Sequence, residues 1–413
     1  MTILIVMALS WLGLSVGRAQ TYMGDTLTDK NIQLKNFQTD KNLQDSTLTV
    51  SLITCYPGEE IYELCGHSGI RVRGEGIDSI WNYGIFDFNQ PNFVYRFVKG
   101  ETDYKGMAYP FRWFMPEYVE AGRKVVEQDL NLTPQESREL LKLLRSSVQP
   151  ENAVYRYNYV KDNCSLRILE RIETATPEEI VYPDTVRYGT FRNEMRAFHK
   201  NYPWYQLGID LALGSGLDYK LNSREEMFAP IVMMENVGNA RFSDGRPLVK
   251  ATRVLNEGKE DVILPPTPWA LSPLFWAWIV TAVVCCCVAL FNLIKGQLYL
   301  PLYGVWFFLL GLVGWLSAFL VFVSVHEATS PNVLIWWVNP LQWLFVIGIA
   351  VRKLKILAYV MSFYNIIVSG VLLIASPWWQ QSFNPAFYPL LLSTFVLAAM
   401  YAILGIKSSY KIR

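Results

Sequence analysis

Charge is distributed so unevenly along this chain that it dictates two different folding solvents. Of 37 Lys/Arg and 36 Asp/Glu residues, only eight lie beyond Trp269, although that stretch is 144 residues long. Five apolar runs fill it, at about 270–294, 298–324, 333–351, 354–376 and 386–406, each near the roughly 20 residues that span a bilayer as a helix. Upstream, the chain carries the charge mixture of a water-soluble domain. With a net charge of +1 and 52% hydrophobic residues, disorder and a basic nucleic-acid-binding protein are both excluded.

The membrane half also predicts its own orientation. Its seven basic residues are Lys295, Arg352, Lys353, Lys355, Lys407, Lys411 and Arg413, and they sit at alternate ends of the apolar runs. The intervening loops, 325–332 and 377–385, hold none. Five crossings with the positive ends inside place the C-terminus in the cytoplasm and the soluble domain outside. At the N-terminus, apolar residues 2–17 followed by Gly17-Arg18-Ala19 read as a signal peptide over residues 1–19, the alternative being a retained anchor because no basic residue opens it. The expected domains are therefore 20–268, exported, and 269–413, in the inner membrane.

Within 20–268, residues 47–56, 66–74 and 79–88 have the β-branched and aromatic enrichment of strands. From 133 to 148 the period changes to that of a helix with Leu140, Leu141, Leu144 and Val148 on one face, opened by a Thr133/Glu136 capping box and Pro134. A second helix starts at Asp162-Asn163 and places Ile168, Leu169 and Ile172 on one side. Strands followed by helices around an antiparallel sheet predict an α+β fold. Residues 176–268 yield little.

Six cysteines and three histidines narrow the chemistry. Cys285, Cys286 and Cys287 read as small apolar filler of the first span. Cys55 and Cys65 flank the first strands, either bridged or as two buried thiols. Cys164 stands in Asp162-Asn163-Cys164-Ser165-Leu166-Arg167, in the first turn of a helix, where backbone N–H groups and the helix dipole favour a thiolate. A cysteine nucleophile needs a base. His199, in a charged segment, is expected to be solvated, and His326 lies in an outer loop. His67, in Gly66-His67-Ser68-Gly69-Ile70-Arg71, is on a strand opened by a glycine; it is either structural or the partner of Cys164, as papain-like enzymes pair a helix-terminal Cys with a strand His. Asn82, on the neighbouring strand, is the candidate to orient the imidazole, its other reading being a turn asparagine.

The order His before Cys is that of a circularly permuted papain/NlpC-P60-like domain and resembles the lecithin:retinol acyltransferase group, where the nucleophile also lies in an Asn-Cys pair. Taken together, Tyr56-Pro57-Gly58-Glu59-Glu60-Ile61-Tyr62, the His67 and Cys164 motifs, Asn82-Tyr83-Gly84-Ile85-Phe86-Asp87-Phe88, His326-Glu327-Ala328-Thr329-Ser330-Pro331-Asn332 and Asn339-Pro340-Leu341 resemble the Lnb family, lipoprotein N-acyltransferases of Bacteroides-type bacteria. One departure is Cys65, where the pattern has an aromatic residue; it adds a second thiol two residues from His67, nominally on the same strand face.

The resemblance implies a membrane phospholipid as acyl donor and a diacylated apolipoprotein as acceptor, with Cys164, His67 and Asn82 catalytic and no cofactor. It makes Arg71 and Arg167 candidates for the donor phosphate, which a guanidinium fits; structural ion pairs are their alternative. Asn163, Ser68, His326 and Glu327 complete the candidate substrate-binding set. Two rival readings use the same residues: a tethered NlpC/P60-like peptidase acting on cell-wall peptides, and a non-enzymatic membrane binding or sensor module. Five spans exceed what a tether needs, which favours a lipid substrate.

Overall fold

The computed structural model describes residues 48–87, 89–259 and 263–411. The expected leader and polar lead-in over 1–47, Phe88, Arg413 and the side chains of Lys407 and Lys411 lie outside the described residues. The chain forms two compact units: one ends at Phe198 and resumes at Lys220–Pro265, and the other joins His199–Tyr219 to Pro266 onward.

The first unit is built on a seven-stranded sheet. Its strands are β1 (Thr49–Cys55), β2 (His67–Gly74), β3 (Ile77–Ile85), β4 (Asp103–Pro110), β5 (Val125–Leu130), β6 (Val154–Arg156) and β7 (Val249–Asn256), in the order β6-β4-β3-β2-β1-β5-β7, with every neighbouring pair antiparallel. The three strands expected from sequence become the centre of the sheet. Residues of β1 are buried on both faces, as a central strand requires. On one face, Leu52, Ile70, Val72, Trp81 and Tyr83 pack with α3 (Pro134–Ser147) and α4 (Cys164–Ala175) through Leu140, Leu144, Ile168 and Ile172. On the other, Ile53, Cys55, Ile80 and Val125 pack against Phe111, Phe114 and Tyr118 of α2 (Phe111–Glu120), which follows the short α1 (Phe93–Lys99) in the chain. Helix α3 has the expected capping box: the Glu136 N–H donates to Thr133 Oγ1 at 3.2 Å and the Thr133 N–H to Glu136 Oε2 at 2.6 Å.

Helix α5 (Phe191–Phe198) closes the first part of this unit, and the chain then enters the other unit as α6 (Pro203–Ala212). It returns for α7 (Pro230–Asn239). Leu207 and Leu211 of α6 pack with Leu334, Trp337 and Phe387. Asp210 accepts a hydrogen bond from Asn384 Nδ2 at 2.8 Å. His199 is consequently buried rather than solvated, bonded through Nδ1 to Gln206 Oε1 at 2.8 Å. Burial holds its pKa down to about 4.

In the second unit, α8 (Pro273–Cys287), continued as a π-helix to Ile294, α9 (Leu300–Phe322), α11 (Lys355–Ala375) and α12 (Phe387–Lys411) are long and apolar; four helices among the described residues meet the length of a membrane span. Five such helices were expected. The third apolar run departs from the expectation: it folds as a 3-10 turn, Val333–Trp336, and then α10 (Gln342–Ala350), only nine residues long. Pro340 is the cause, because it supplies no N–H and clashes with a continuing helix.

A broken backbone in an apolar medium has to find internal hydrogen-bond partners. Side chains supply them here. Asn339 Nδ2 donates to the Trp336 carbonyl at 3.0 Å and to Tyr364 Oη at 3.2 Å, while its Oδ1 accepts the Leu341 N–H at 3.0 Å. Gln342 Nε2 donates to the Trp337 carbonyl and to Asn365 Oδ1, both at 2.8 Å. Gly314 lets the Asn339 backbone pass: a Cβ there would lie 2.2 Å from the Asn339 carbonyl carbon. Replacing Asn339 with Leu leaves the Leu341 N–H without its acceptor and removes one of the two donors to the Trp336 carbonyl, the other being Tyr364 Oη, at a cost of about 1–3 kcal/mol. The expected result is a clearly lower Tm for N339L than for wild type in the same detergent; an unchanged Tm would refute this account of the break.

Candidate active site

Three strand and helix ends bring the candidate catalytic residues together. Gly66, at φ +84°, turns the chain into β2, and a Cβ on it would meet the Cys55 carbonyl oxygen at 2.6 Å. Only glycine gives this close passage, and it sets His67 as the first residue of β2. The β2–β3 register pairs Gly69 with Asn82, so the asparagine faces the same side of the sheet as His67. Their side chains meet: His67 Nε2 lies 2.5 Å from Asn82 Oδ1. Asn82 in turn donates through Nδ2 to Tyr109 Oη at 2.9 Å, which fixes the amide's orientation. An acceptor at Nε2 means that nitrogen carries the proton and leaves Nδ1 for a second partner.

That second partner is the thiol of Cys164. Asn163 caps α4 by accepting the Leu166 N–H at 3.0 Å, and its Nδ2 donates to the Tyr159 and Phe228 carbonyls at 2.9 and 2.8 Å. With the cap tied down in three directions, Cys164 occupies the first helical position, where it is hydrogen-bonded to His67. The Ser68 backbone N–H and the Ser165 side chain also contact the thiol. Ser68 Oγ lies 3.2 Å from Ser165 Oγ in a fully buried contact that joins β2 to the start of α4.

Burial by itself opposes ionisation of both groups. For Cys164 that penalty is outweighed by His67, through charge and hydrogen bond, and by the Ser68 and Ser165 contacts, so its pKa is lowered. For His67, burial is likewise outweighed by Cys164 and Asn82, so its pKa is raised. Both directions favour transfer of the Cys164 proton to His67.

Neither of the other two soluble-domain thiols has this environment. Cys55 and Cys65 are both free and buried, so no bridge joins them. Burial pushes the Cys55 thiol far up and the Cys65 thiol to about 12. Cys65 does not share the His67 face, because the left-handed turn at Gly66 breaks the strand alternation before it. It packs with Ala229 and Val232, and its sulfur is 3.0 Å from Tyr159 Oη.

The remaining candidates are placed elsewhere. Arg71 forks onto Asp78 at 2.7 Å, reaches Glu127 at 3.3 Å and lies over the Phe111 ring. Arg167 forks onto Asp162 at 2.6 and 2.7 Å and lies 3.4 Å from the Tyr155 ring centre. Both guanidinium groups are thus held by carboxylates. His326 and Glu327 belong to the second unit, where His326 precedes the 3-10 turn Glu327–Thr329 and its carbonyl accepts from Thr329 Oγ1 at 2.8 Å. Among the described residues no cluster of three or more His, Cys, Asp or Glu could hold a metal ion. Two contacts escaped the sequence reading. Ser165 carries no signal beyond following Cys164, whereas Tyr157, whose phenol oxygen meets the Cys164 backbone N–H, belongs to an alternating run, Tyr155, Tyr157, Tyr159, that leads straight to the nucleophile motif.

Comparison with known families follows the same division. A family model described as the Lnb N-terminal periplasmic domain matches residues 35–192, and one described as the Lnb transmembrane domain matches residues 266–409. The chain belongs to the Lnb family. It is an inner-membrane protein with a periplasmic N-terminal domain and an apolar helical domain. Neither curated proteins nor solved structures give a match.

The pair's electrostatics make a pH prediction. Cys164 is expected to be alkylated by iodoacetamide with an inflection below the ordinary thiol value of 9.0. Removing the imidazole in His67→Ala leaves burial dominant, so the inflection should move above that value. Rates followed by peptide mass across pH 5–10 check this; coincident profiles for wild type and H67A would dismiss the ion pair.

Proposed function

We propose that this protein is a lipoprotein N-acyltransferase, which moves an acyl chain from a membrane phospholipid to the α-amino group of the diacylglyceryl-cysteine of an apolipoprotein. The observation that carries the reading is the thiol of Cys164 at a helix start, hydrogen-bonded to a histidine that Asn82 orients, in a chain of the Lnb family with an attached apolar helical domain. On this reading the soluble unit is a circularly permuted papain/NlpC-P60-like domain.

Chemically, His67 Nδ1 takes the Cys164 proton and the thiolate adds to the ester carbonyl carbon of the phospholipid. The tetrahedral intermediate collapses, the lysophospholipid alkoxide leaves with the proton held on His67, and an acyl-thioester remains on Cys164. The acceptor amine then attacks the thioester carbonyl, gives its proton to His67, and the thiolate departs. The scheme is ping-pong and uses only the chain's own groups. Asn82 keeps the imidazole in the tautomer with Nδ1 toward sulfur throughout.

The contacts of four further residues favour narrower roles than lipid binding. Asn163 fastens the start of α4 to the Tyr159 and Phe228 carbonyls and Ser68 joins it to β2, so both position the thiol. Arg71 ties β2 to β3 and β5 through Asp78 and Glu127, and Arg167 ties α4 to the turn before it through Asp162. His326 and Glu327 are the proposed substrate contacts of the membrane unit. The basic residues at alternate ends of the apolar runs support a cytoplasmic C-terminus; within the second unit Asn339 passes Gly314 and the Phe345 and Phe307 ring centres lie 4.0 Å apart. The broken third run is proposed as the fifth crossing.

The deciding experiment is intact-mass analysis of a lipoprotein N-terminal peptide from cells whose only copy carries Cys164→Ser. Loss of one acyl chain, with the diacylglyceryl group retained, is the expected outcome. A triacylated peptide in cells with normal levels of the variant would sink the acyltransferase reading and point to the cell-wall peptidase.

A further inference from the structure

The mechanism leaves one requirement unassigned, which is the charge on the carbonyl oxygen when the thiolate adds to it. The Cys164 backbone N–H is the nearest donor by construction, since it belongs to the attacking residue. In the resting protein that N–H is bonded to the phenol oxygen of Tyr157. A phenol that accepts one hydrogen bond through its lone pair still has a proton to give. An oxyanion forming on the carbon attached to Cys164 Sγ falls beside both groups.

Several features hold the Tyr157 ring where it is. Tyr104 stacks on it with ring centres 4.6 Å apart. The β3–β4 register shifts between Asn82 and Ile85, and within that irregularity Gly84 adopts φ +88°. A Cβ on Gly84 would lie 3.1 Å from the Tyr157 ring. The glycine two residues after the His67-orienting asparagine therefore makes room for the phenol that reaches Cys164. One short stretch of β3 serves both sides of the nucleophile: Asn82 through the base, and Gly84 through the phenol.

Resting on the acyltransferase reading above, we propose that Tyr157 is a catalytic residue that donates its hydroxyl to the oxyanion of the tetrahedral intermediates, together with the Cys164 backbone N–H. As the thiolate attacks, the electron pair of the C=O moves to oxygen. The amide N–H exchanges the phenol oxygen for the new oxyanion, and the phenol O–H turns to the same atom. No proton is transferred to or from Tyr157: collapse returns the pair to C=O, the lysophospholipid oxygen leaves, and His67 supplies its proton. Burial and the neighbouring Cys164 charge hold the phenol pKa well above 10, so it remains a donor. In a site shielded from water a fixed donor of this kind typically contributes 100-fold or more in rate, about the loss seen when one oxyanion-hole donor is removed.

The test uses the full-length protein in detergent with mixed micelles of 1-palmitoyl-2-oleoyl-phosphatidylethanolamine, measuring single-turnover acyl-thioester formation on Cys164 by intact mass. Tyr157→Phe preserves the ring, its stacking on Tyr104 and its place against Gly84. The expected result is thioester formation slowed by about 100-fold, while alkylation of Cys164 by iodoacetamide stays within about two-fold of wild type, because alkylation builds no oxyanion. Thioester formation at or above the wild-type rate in Y157F overturns the proposal. Slowing of alkylation by the same factor also overturns it, since Tyr157 would then act on the thiolate. A wild-type protein that forms no thioester, or a Cys164→Ser variant that still acylates the acceptor, overturns the underlying reading instead.

Discussion

The position of the reactive sulfur depends on one asparagine cap. Asn163 uses its carbonyl oxygen to begin α4 and both amide hydrogens to fasten that beginning to the Tyr159 and Phe228 carbonyls. A first-turn residue gains the favourable end of the helix dipole only if the turn is fixed against its partner. The buried Ser68–Ser165 contact ties the same turn to β2, whose first residue is His67. Thiol and imidazole therefore approach each other because a helix start and a strand start have been joined. Each then shifts the other's pKa toward the charged form, against the burial that opposes ionisation of both.

Much of this was legible in the residues, and for identifiable reasons. Local signals with a short-range mechanism read correctly: the Thr133/Glu136 capping box, the Asn-Cys helix entry, and a β2–β3 hairpin that sets Asn82 beside His67. Signals that depend on what the chain meets later did not. His199 looked solvated because its neighbours Arg196 and Lys200 are charged, yet it is buried with Gln206 and Tyr205. Cys65 was placed on the His67 face by simple alternation, which one left-handed glycine cancels. Tyr157 was overlooked because its alternation with Tyr155 and Tyr159 reads as an ordinary strand end, with nothing to mark one tyrosine for the site.

The apolar half illustrates a complementary limit. Hydropathy counted five runs, yet four form span-length helices among the described residues, because hydropathy is blind to backbone hydrogen bonding. An Asn-Pro pair inside the third run forces a break, and the break is affordable in an apolar medium only because Asn339, Gln342, Asn365 and Tyr364 close around it. Polar residues that looked sparse along the sequence gather at the break, while other buried pairs such as Thr281 with Ser393 and Asn292 with Tyr303 lie elsewhere in the unit. Their grouping is a requirement of the broken backbone, and a hydropathy window averages it away.

The excursion of His199–Tyr219 into the second unit has a consequence for biosynthesis. This segment leaves the ribosome and crosses the membrane before any of the helices it packs with has been made. Leu207, Leu211 and Asp210 therefore wait in water until Trp337, Phe387 and Asn384 arrive. The second unit is closed by threading late partners onto an early strap, so its assembly cannot finish until the last helix is inserted. A soluble fragment cut at Pro265 would keep that strap permanently unmatched, with Leu207 and Leu211 left bare to water.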